Sequence, residues 1–389
     1  MKIITTTAAL ASFCAEAAKN PYVTVDTEFL RERTYYAKLC LVQLAFSGPH
    51  ADAALVDPLA DGIDLAPLYA LFRDTNVVKV FHAARQDLEI FSVGQDLIPA
   101  PLFDTQVAAM VCGYGEQVSY ETLARKIAKA DIDKTSRFTD WSRRPLSVAQ
   151  QEYALADVTH LRQIYENLSA QIEKSGRAAW VAEEMNILTN PETYRVDPDQ
   201  AWLRVKTRTS SPKFLAVMRE LARFREEYAQ AQDVPRSRVF KDDALLELAS
   251  MKPASEDDLS GARLLLREAR RGPIADGILA AVARALALRP DQMPRLPSEK
   301  EKDLQVNPAL ADLLRVLLKA RAEGEGVAQK LIASSAELDA IAAGQRDVQA
   351  LTGWRLALFG DDALALCQGK IALAAKGQNV VTIRLGEGA

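Results

Sequence analysis

The run Tyr22-Val-Thr-Val-Asp-Thr-Glu-Phe29 decides how the rest of the chain is read. Val23, Val25 and Thr27 fall on one side and Thr24, Asp26 and Glu28 on the other, the period-two pattern of a β-strand. Asp26 and Glu28 therefore share a face. Outward from this strand, residues 36 to 45, 53 to 57 and 77 to 82 carry further strand patterns, which later alternate with helical ones. Asp87 lies in Phe81-His-Ala-Ala-Arg-Gln-Asp-Leu88, just after the apolar run Val77-Val-Lys-Val-Phe81, and so opens a helix that follows a strand. Ser147 with Gln150 three residues on has the form of a capping box, and Leu155, Leu161, Ile164 and Leu168 continue at helical intervals. Tyr153 and Asp157, four apart on that helix, are neighbours on one face.

Four carboxylates and a phenol can thus converge on one rim of a sheet. Gathering carboxylates is costly, because like charges raise one another's pKa and resist joint ionisation. Two divalent cations such as Mg²⁺ or Mn²⁺ remove that penalty, since hard ions prefer oxygen ligands. A pair held about 4 Å apart stabilises both the attacking and the leaving oxygen of a phosphodiester. The bland alternative, acids that merely cap helices or face solvent, suits Asp87 taken alone better than it suits all five positions together.

These residues carry a resemblance. Asp-Thr-Glu at 26 to 28, Asp87 within His82-Ala-Ala-Arg-Gln-Asp87-Leu-Glu, and Tyr153-Ala-Leu-Ala-Asp157 resemble the three motifs of the tyrosine-containing branch of the DEDD 3′-to-5′ exonucleases, and within it the ribonuclease D family. Tyr36-Ala-Lys-Leu-Cys-Leu-Val-Gln-Leu-Ala45, Phe103-Asp-Thr-Gln106, Asp140-Trp-Ser-Arg-Arg-Pro-Leu146 and Trp202-Leu-Arg-Val-Lys206 extend the similarity over residues 1 to 290. The resemblance implies a ribonuclease H-like mixed sheet carrying a metal-dependent exoribonuclease. Such a hydrolase releases 5′-mononucleotides from RNA 3′ ends, with precursor tRNA as the leading substrate. It implies that Asp26, Glu28, Asp87 and Asp157 hold the cations, Asp87 through water. Tyr153 then orients the nucleophile. Thr27 and Phe29, beside the ligands, are expected to touch the terminal nucleotide. Asp104 lies outside the family's carboxylate set and reads as structural, as does His82. A DNA exonuclease with the same metal chemistry and a catalytically vestigial nucleic-acid-binding scaffold are the other two functional classes. The intact set of five argues against the scaffold, whereas RNA and DNA differ at a 2′-hydroxyl that the sequence does not address.

At 389 residues, 49% hydrophobic and 26% charged, the chain is long enough for two or three domains. No apolar run approaches the ~20 residues of a membrane span. The start, Met1-Lys-Ile-Ile-Thr-Thr-Thr-Ala-Ala-Leu-Ala, makes a poor secretory signal and reads as a folded N-terminus. Cys14, Cys40, Cys112 and Cys367 are far apart without a C-x-x-C spacing, which argues against zinc and against a disulfide framework and fits a reducing cytoplasm. No membrane and no obligate protein partner is expected.

The net charge of -4 is unevenly spread. Residues 1 to 200 carry 19 basic against 27 acidic residues, residues 201 to 289 carry 17 against 12, and residues 300 to 389 carry 11 of each. The acidic exonuclease unit, residues 1 to 190, thus needs help to hold a polyanion, and the basic middle unit, residues 207 to 289, can supply it. Helical patterns there, from Pro212 through Phe214, Val217, Leu221 and Phe224 and on to 273 to 287, resemble the helicase and ribonuclease D C-terminal (HRDC) domain. At an offset of 93, Val234, Val239, Leu245 and Leu248 fall on Val327, Ile332, Leu338 and Ile341, so residues 300 to 389 read as a second, degenerate HRDC-like bundle that packs against its neighbours. Residues 185 to 205 and the Pro-rich stretch 289 to 297 read as linkers. A basic stretch at 125 to 144, with Phe138 and Trp141 interleaved, has the charge and stacking surface that guide a single strand. Its alternative is a solvated connection in which Trp141 simply packs.

Overall fold

This computed structural model describes residues 2–48, 51–295 and 305–386. The exonuclease unit comprises β1 (Ile3–Ile4), α1 (Thr7–Ala17), β2 (Tyr22–Leu30), β3 (Lys38–Phe46), β4 (Asp52–Val56), α2 (Ala66–Arg73), β5 (Val78–Phe81) and α3 (Arg85–Gln95), followed by β6 (Leu102–Asp104), α4 (Thr105–Val111), α5 (Tyr120–Leu123), α6 (Val148–Ser175) and α7 (Ala178–Leu188). The sheet order is β1-β4-β3-β2-β5-β6. β3 runs antiparallel to β2 and β4, while β1, β5 and β6 pair in parallel, so the sheet is mixed as expected. β1 and β6, only two and three residues long, are too short for alternation to reveal them.

Within this sheet β2 lies between β3 and β5, and α6 lies across β2, β3 and β4. Two features hold α6 in place. Ser147 and Gln150 form the reciprocal capping box that starts it, and Thr24 on β2 donates its hydroxyl to the carbonyl of Val158 at 2.9 Å. Between helix and sheet, Cys40, Leu41, Leu55, Trp141, Leu146 and Ala154 form a small core.

A separate core holds the first helical unit, α8 (Pro212–Ala231), α9 (Arg236–Val239), α10 (Asp242–Met251), α11 (Glu256–Ser260) and α12 (Pro273–Leu286). The linker reading of 185 to 205 is corrected here. That stretch holds the end of α7 and 3₁₀ turns at Pro191–Thr193 and Pro198–Arg204, and Ala201 and Trp202 sit inside the core of the first helical unit. Sequence patterning missed this because a 3₁₀ turn has neither helical nor strand periodicity.

The C-terminal unit comprises α13 (Pro308–Glu325), α14 (Gln329–Ile332), α15 (Ser335–Ala342), α16 (Gly353–Arg355) and α17 (Asp361–Cys367), and it ends in the antiparallel hairpin β7 (Ile371–Lys376) and β8 (Asn379–Arg384). The expectation of an all-helical bundle is therefore corrected by the hairpin. The internal repeat does appear in the element order: α14 and α15 begin 93 residues after α9 and α10. Of the Pro-rich linker, Pro290–Gln292 forms a 3₁₀ turn, and residues 296 to 304 lie outside the described residues.

The C-terminal unit shares one hydrophobic core with the exonuclease unit, including Leu314, Ile332 and Trp354 beside Met110, Val181 and Met185. The rings of Trp180 and Trp354 stack at 4.5 Å, and Arg355 is buried against Glu183 and Glu184. The backbones also touch, with the Ala328 amide donating to the Met110 carbonyl at 3.0 Å. At Gly113, with φ +79°, an added Cβ would stand 2.4 Å from the Gly326 carbonyl oxygen, so only glycine permits this approach.

Candidate active site

Each acidic side chain reaches the site through a local device. Asp26 and Glu28 stand two apart on β2, opposite Gln43 and Leu41 of β3, and the register shifts immediately after Glu28. Asp157 and Tyr153 lie one turn apart on α6 and line the same cavity. Tyr120 of α5 donates to the carbonyl of Ala156 at 2.7 Å, tethering the same turn of α6.

Asp87 sits in the first turn of α3. The turn from β5 into α3 is set by Asp104, whose carboxylate accepts from the amides of Ala83 and Ala84 at 3.0 and 2.8 Å and also caps α4 through Gln106 at 2.8 Å. Ala83 adopts a left-handed φ of 57° there. Asp104 is thus a structural carboxylate, in keeping with its reading. His82 is bonded to the Thr105 hydroxyl at 3.0 Å.

Carboxylate oxygens of Asp26, Glu28 and Asp157 all lie within 4.8 Å of one another. Asp87 stands outside this trio but lines the same cavity of about 630 Å³, as do Tyr153, Tyr120, Arg137 and Phe29. Thr27 lines the cavity too, with its side chain largely buried and its hydroxyl donating to Asp87. Phe29 remains at the cavity wall.

Burial pushes all four carboxyls up, and at Glu28, Asp87 and Asp157 the charge of neighbouring carboxylates adds to it. Burial raises Asp26 to about 7, while Glu28 is raised to about 10 by burial and by Asp26, Asp157 and Asp87, with Arg137 opposing. Asp87 and Asp157 are raised well above the ordinary range by burial and by Asp26. Burial and the neighbouring carboxylates also push the Tyr153 phenol up. Three mutually repelling oxygen donors within one short span fit a hard divalent cation, which relieves the repulsion that raises them.

The basic stretch from 125 to 144 separates into parts. Arg144 makes a two-bond pair with Asp57 at 2.6 and 2.7 Å, and Arg125 and Lys134 pair with Glu121. Trp141 is only 2% exposed, its ring centroid 6.1 Å from that of Tyr153, so it packs and is no stacking platform for a base. Phe138 is 90% exposed, lies under the Arg137 guanidinium at 5.1 Å, and lines the cavity. Of this stretch, Arg137 and Phe138 are thus left together at the cavity rim.

The fold and acidic cavity define a class, the 3′-5′ exonucleases. Residues 1–173 match the family model described as 3′-5′ exonuclease, and residues 214–282 match that of the HRDC domain. The chain is 61% identical to ribonuclease D of Jannaschia sp. (strain CCS1), over 98% of this chain and 99% of that one. It is 50% identical to ribonuclease D of Nitrobacter hamburgensis, again over 98% and 99%. It resembles the crystal structure of Escherichia coli RNase D, an exoribonuclease involved in structured RNA processing, with a TM-score of 0.81, 31% identity, and coverage of 95% of this chain and 98% of that one. The chain belongs to the ribonuclease D family and is a 3′-to-5′ exoribonuclease. Among the described residues, no helix is long and apolar enough to cross a membrane.

Proposed function

We propose that the chain releases 5′-mononucleotides one at a time from RNA 3′ ends, precursor tRNA foremost, by hydrolysis supported by two divalent cations, Mg²⁺ or Mn²⁺. The reading rests chiefly on the approach of Asp26, Glu28 and Asp157 to within 4.8 Å, beside Asp87 and Tyr153 in one cavity. Asp26, Glu28 and Asp157 are the residues that would hold the cations. Asp87, with one oxygen committed to Thr27, completes the site from its margin. Bound cations supply Lewis acidity toward the attacking water and the departing 3′ oxygen. The water oxygen bonds to phosphorus as the P–O3′ bond breaks, so the phosphate leaves with the released nucleotide and one proton of the water ends on the 3′ oxygen of the shortened strand.

Tyr153 keeps its proton, because burial and the neighbouring carboxylates push its phenol up. Its oxygen is then free to accept from a water and orient it, so it acts as an orienter and not as the base. Arg137 faces the substrate phosphates and Phe138 offers a face to an unpaired base. The basic first helical unit adds grip on the RNA. All four cysteines are free thiols, the state a reducing cytoplasm maintains.

Timed digestion of 3′-labelled and 5′-labelled RNA and DNA oligonucleotides, with Mg²⁺, Mn²⁺ or chelator, tests this. Stepwise shortening of RNA from the 3′ end with loss of activity in chelator is expected, together with loss of turnover by orders of magnitude in Asp26→Asn. Internal cleavage, full activity in chelator, or a normal rate in Asp26→Asn overturns the assignment.

A further inference from the structure

Gln43 stands in β3 directly opposite Asp26 in β2, on the sheet face to which Thr24 bonds α6. Its side chain is fully buried, and neither Oε1 nor Nε2 has a hydrogen-bond partner among the described residues. Its surroundings narrow the choice of partner. Leu41 and Ala45 flank it on the same face, and Leu55 is its neighbour across in β4. Ala154 of α6 packs with Leu41 and Leu55 in the small core there. Thr24, the diagonal neighbour, has its hydroxyl committed to the carbonyls of Ala45 and Val158 at 3.0 and 2.9 Å. Two polar groups share these surroundings: Trp141 Nε1, likewise buried without a partner in the small core with Leu41 and Leu55, which only donates and so cannot take Nε2, and the carboxylate of Asp26, which can accept and whose Cβ, as that of a cross-strand partner, stands about 5 Å away.

An amide buried among leucines with both ends unpaired weakens a fold, and an apolar residue would serve this core better. Such departures from local consistency belong to functional sites. We propose that Gln43 is a positioning residue for the metal ligand Asp26: when Asp26 holds a divalent cation, the Gln43 Nε2 donates to its carboxylate from the side away from the cavity. The inference rests on reading the acidic cluster as a metal site. A carboxylate has about four lone-pair directions, so a donor at its back fixes the rotamer and leaves the cavity-facing directions to the cation. Partners of this kind govern metal affinity, and their removal typically weakens it by about 10- to 100-fold.

The test compares wild type with Gln43→Met and Gln43→Leu, apolar replacements of different shape that share only the loss of the amide. Mn²⁺ binding is measured by calorimetry, melting in chelator by scanning fluorimetry, and kcat and KM on a short RNA at several Mn²⁺ concentrations. Both variants are expected to melt in chelator at or above the wild-type temperature and to bind Mn²⁺ about ten-fold more weakly. They should lose kcat with little change in KM, and part of the loss should return at high Mn²⁺. Wild-type Mn²⁺ affinity and kcat in both variants overturn the inference. So does a lower melting temperature in chelator for both, which would mean that the amide is already satisfied without metal. If wild type itself neither binds Mn²⁺ nor shortens RNA, the metal-site reading has failed, and not only the role of Gln43.

Discussion

Asp26 and Glu28 show at the scale of single residues how a site can be both costly and necessary. Their carboxyls are raised to about 7 and about 10, chiefly by burial, against an unfolded value of ~4. Between these limits the folded chain holds more protons than the unfolded one, so without metal its stability falls as pH rises from about 4 through 7 and beyond. A divalent cation displaces those protons and offsets the loss, so its stabilising effect grows with pH. Melting curves in chelator and in Mn²⁺ at pH 6, 7 and 8 are expected to diverge, with the widest gap at pH 8. A constant gap over that range would show that the carboxyls are already ionised before metal binds.

Among the elements, β5, α3 and α4 depend on Asp104, which joins them without facing the chemistry. Its carboxylate accepts amides from Ala83, Ala84 and Gln106, so it sets both the turn that delivers Asp87 and the start of α4. Hydrogen bonds to a charged group contribute roughly 1.5–3 kcal/mol each, and Asp104→Ala should destabilise the protein by about 3 kcal/mol or more in denaturant titration. It should also lower kcat, because Asp87 moves with the turn, while RNA binding in chelator stays near normal. Retention of full activity would place Asp87 outside the reaction. The helix α6 differs in that its start was legible from Ser147 and Gln150, which satisfy one another within four residues.

In the whole molecule the two helical units are joined to the exonuclease unit differently. The C-terminal one is built into the exonuclease unit through Arg355, which is 3% exposed between Glu183 and Glu184. Removing it strands two carboxylates, one of them buried, so Arg355→Ala should cost about 3–5 kcal/mol in unfolding free energy. Its kcat on a dinucleotide at low temperature should match wild type. Deleting everything beyond residue 206 would expose that shared core, so substitutions test RNA grip more cleanly than truncation. The first helical unit is anchored by Asp233, whose carboxylate accepts both the Tyr35 and Tyr36 amides at 3.0 Å in the loop leaving β2. Its exposed Arg263, Arg267 and Arg271 are available for phosphates. Changing all three to Gln should weaken RNA binding and flatten the slope of log K against log salt by up to about 2, measured by anisotropy between 50 and 200 mM salt. An unchanged slope would assign RNA grip elsewhere.

Sequence alone determined the strand under Asp26 and Glu28, the cap and face of α6, and the contrast between an acidic first part and a basic middle, because periodicity, capping and charge are written within spans of a few residues. The family was legible through the resemblance of the motifs around Asp26, Asp87 and Tyr153, which also nominated the five candidate site residues. Tertiary structure decided what depends on residues far apart: the bond from Thr27 to Asp87, the burial of Trp141 beneath Tyr153, and the entry of Trp202 into the helical core. It also seated the C-terminal unit on α7 and set the unpaired amide of Gln43 against Asp26. A glutamine inside the apolar run 39 to 45 has no local signature of purpose, because its meaning lies in the strand register that sets it across from a carboxylate.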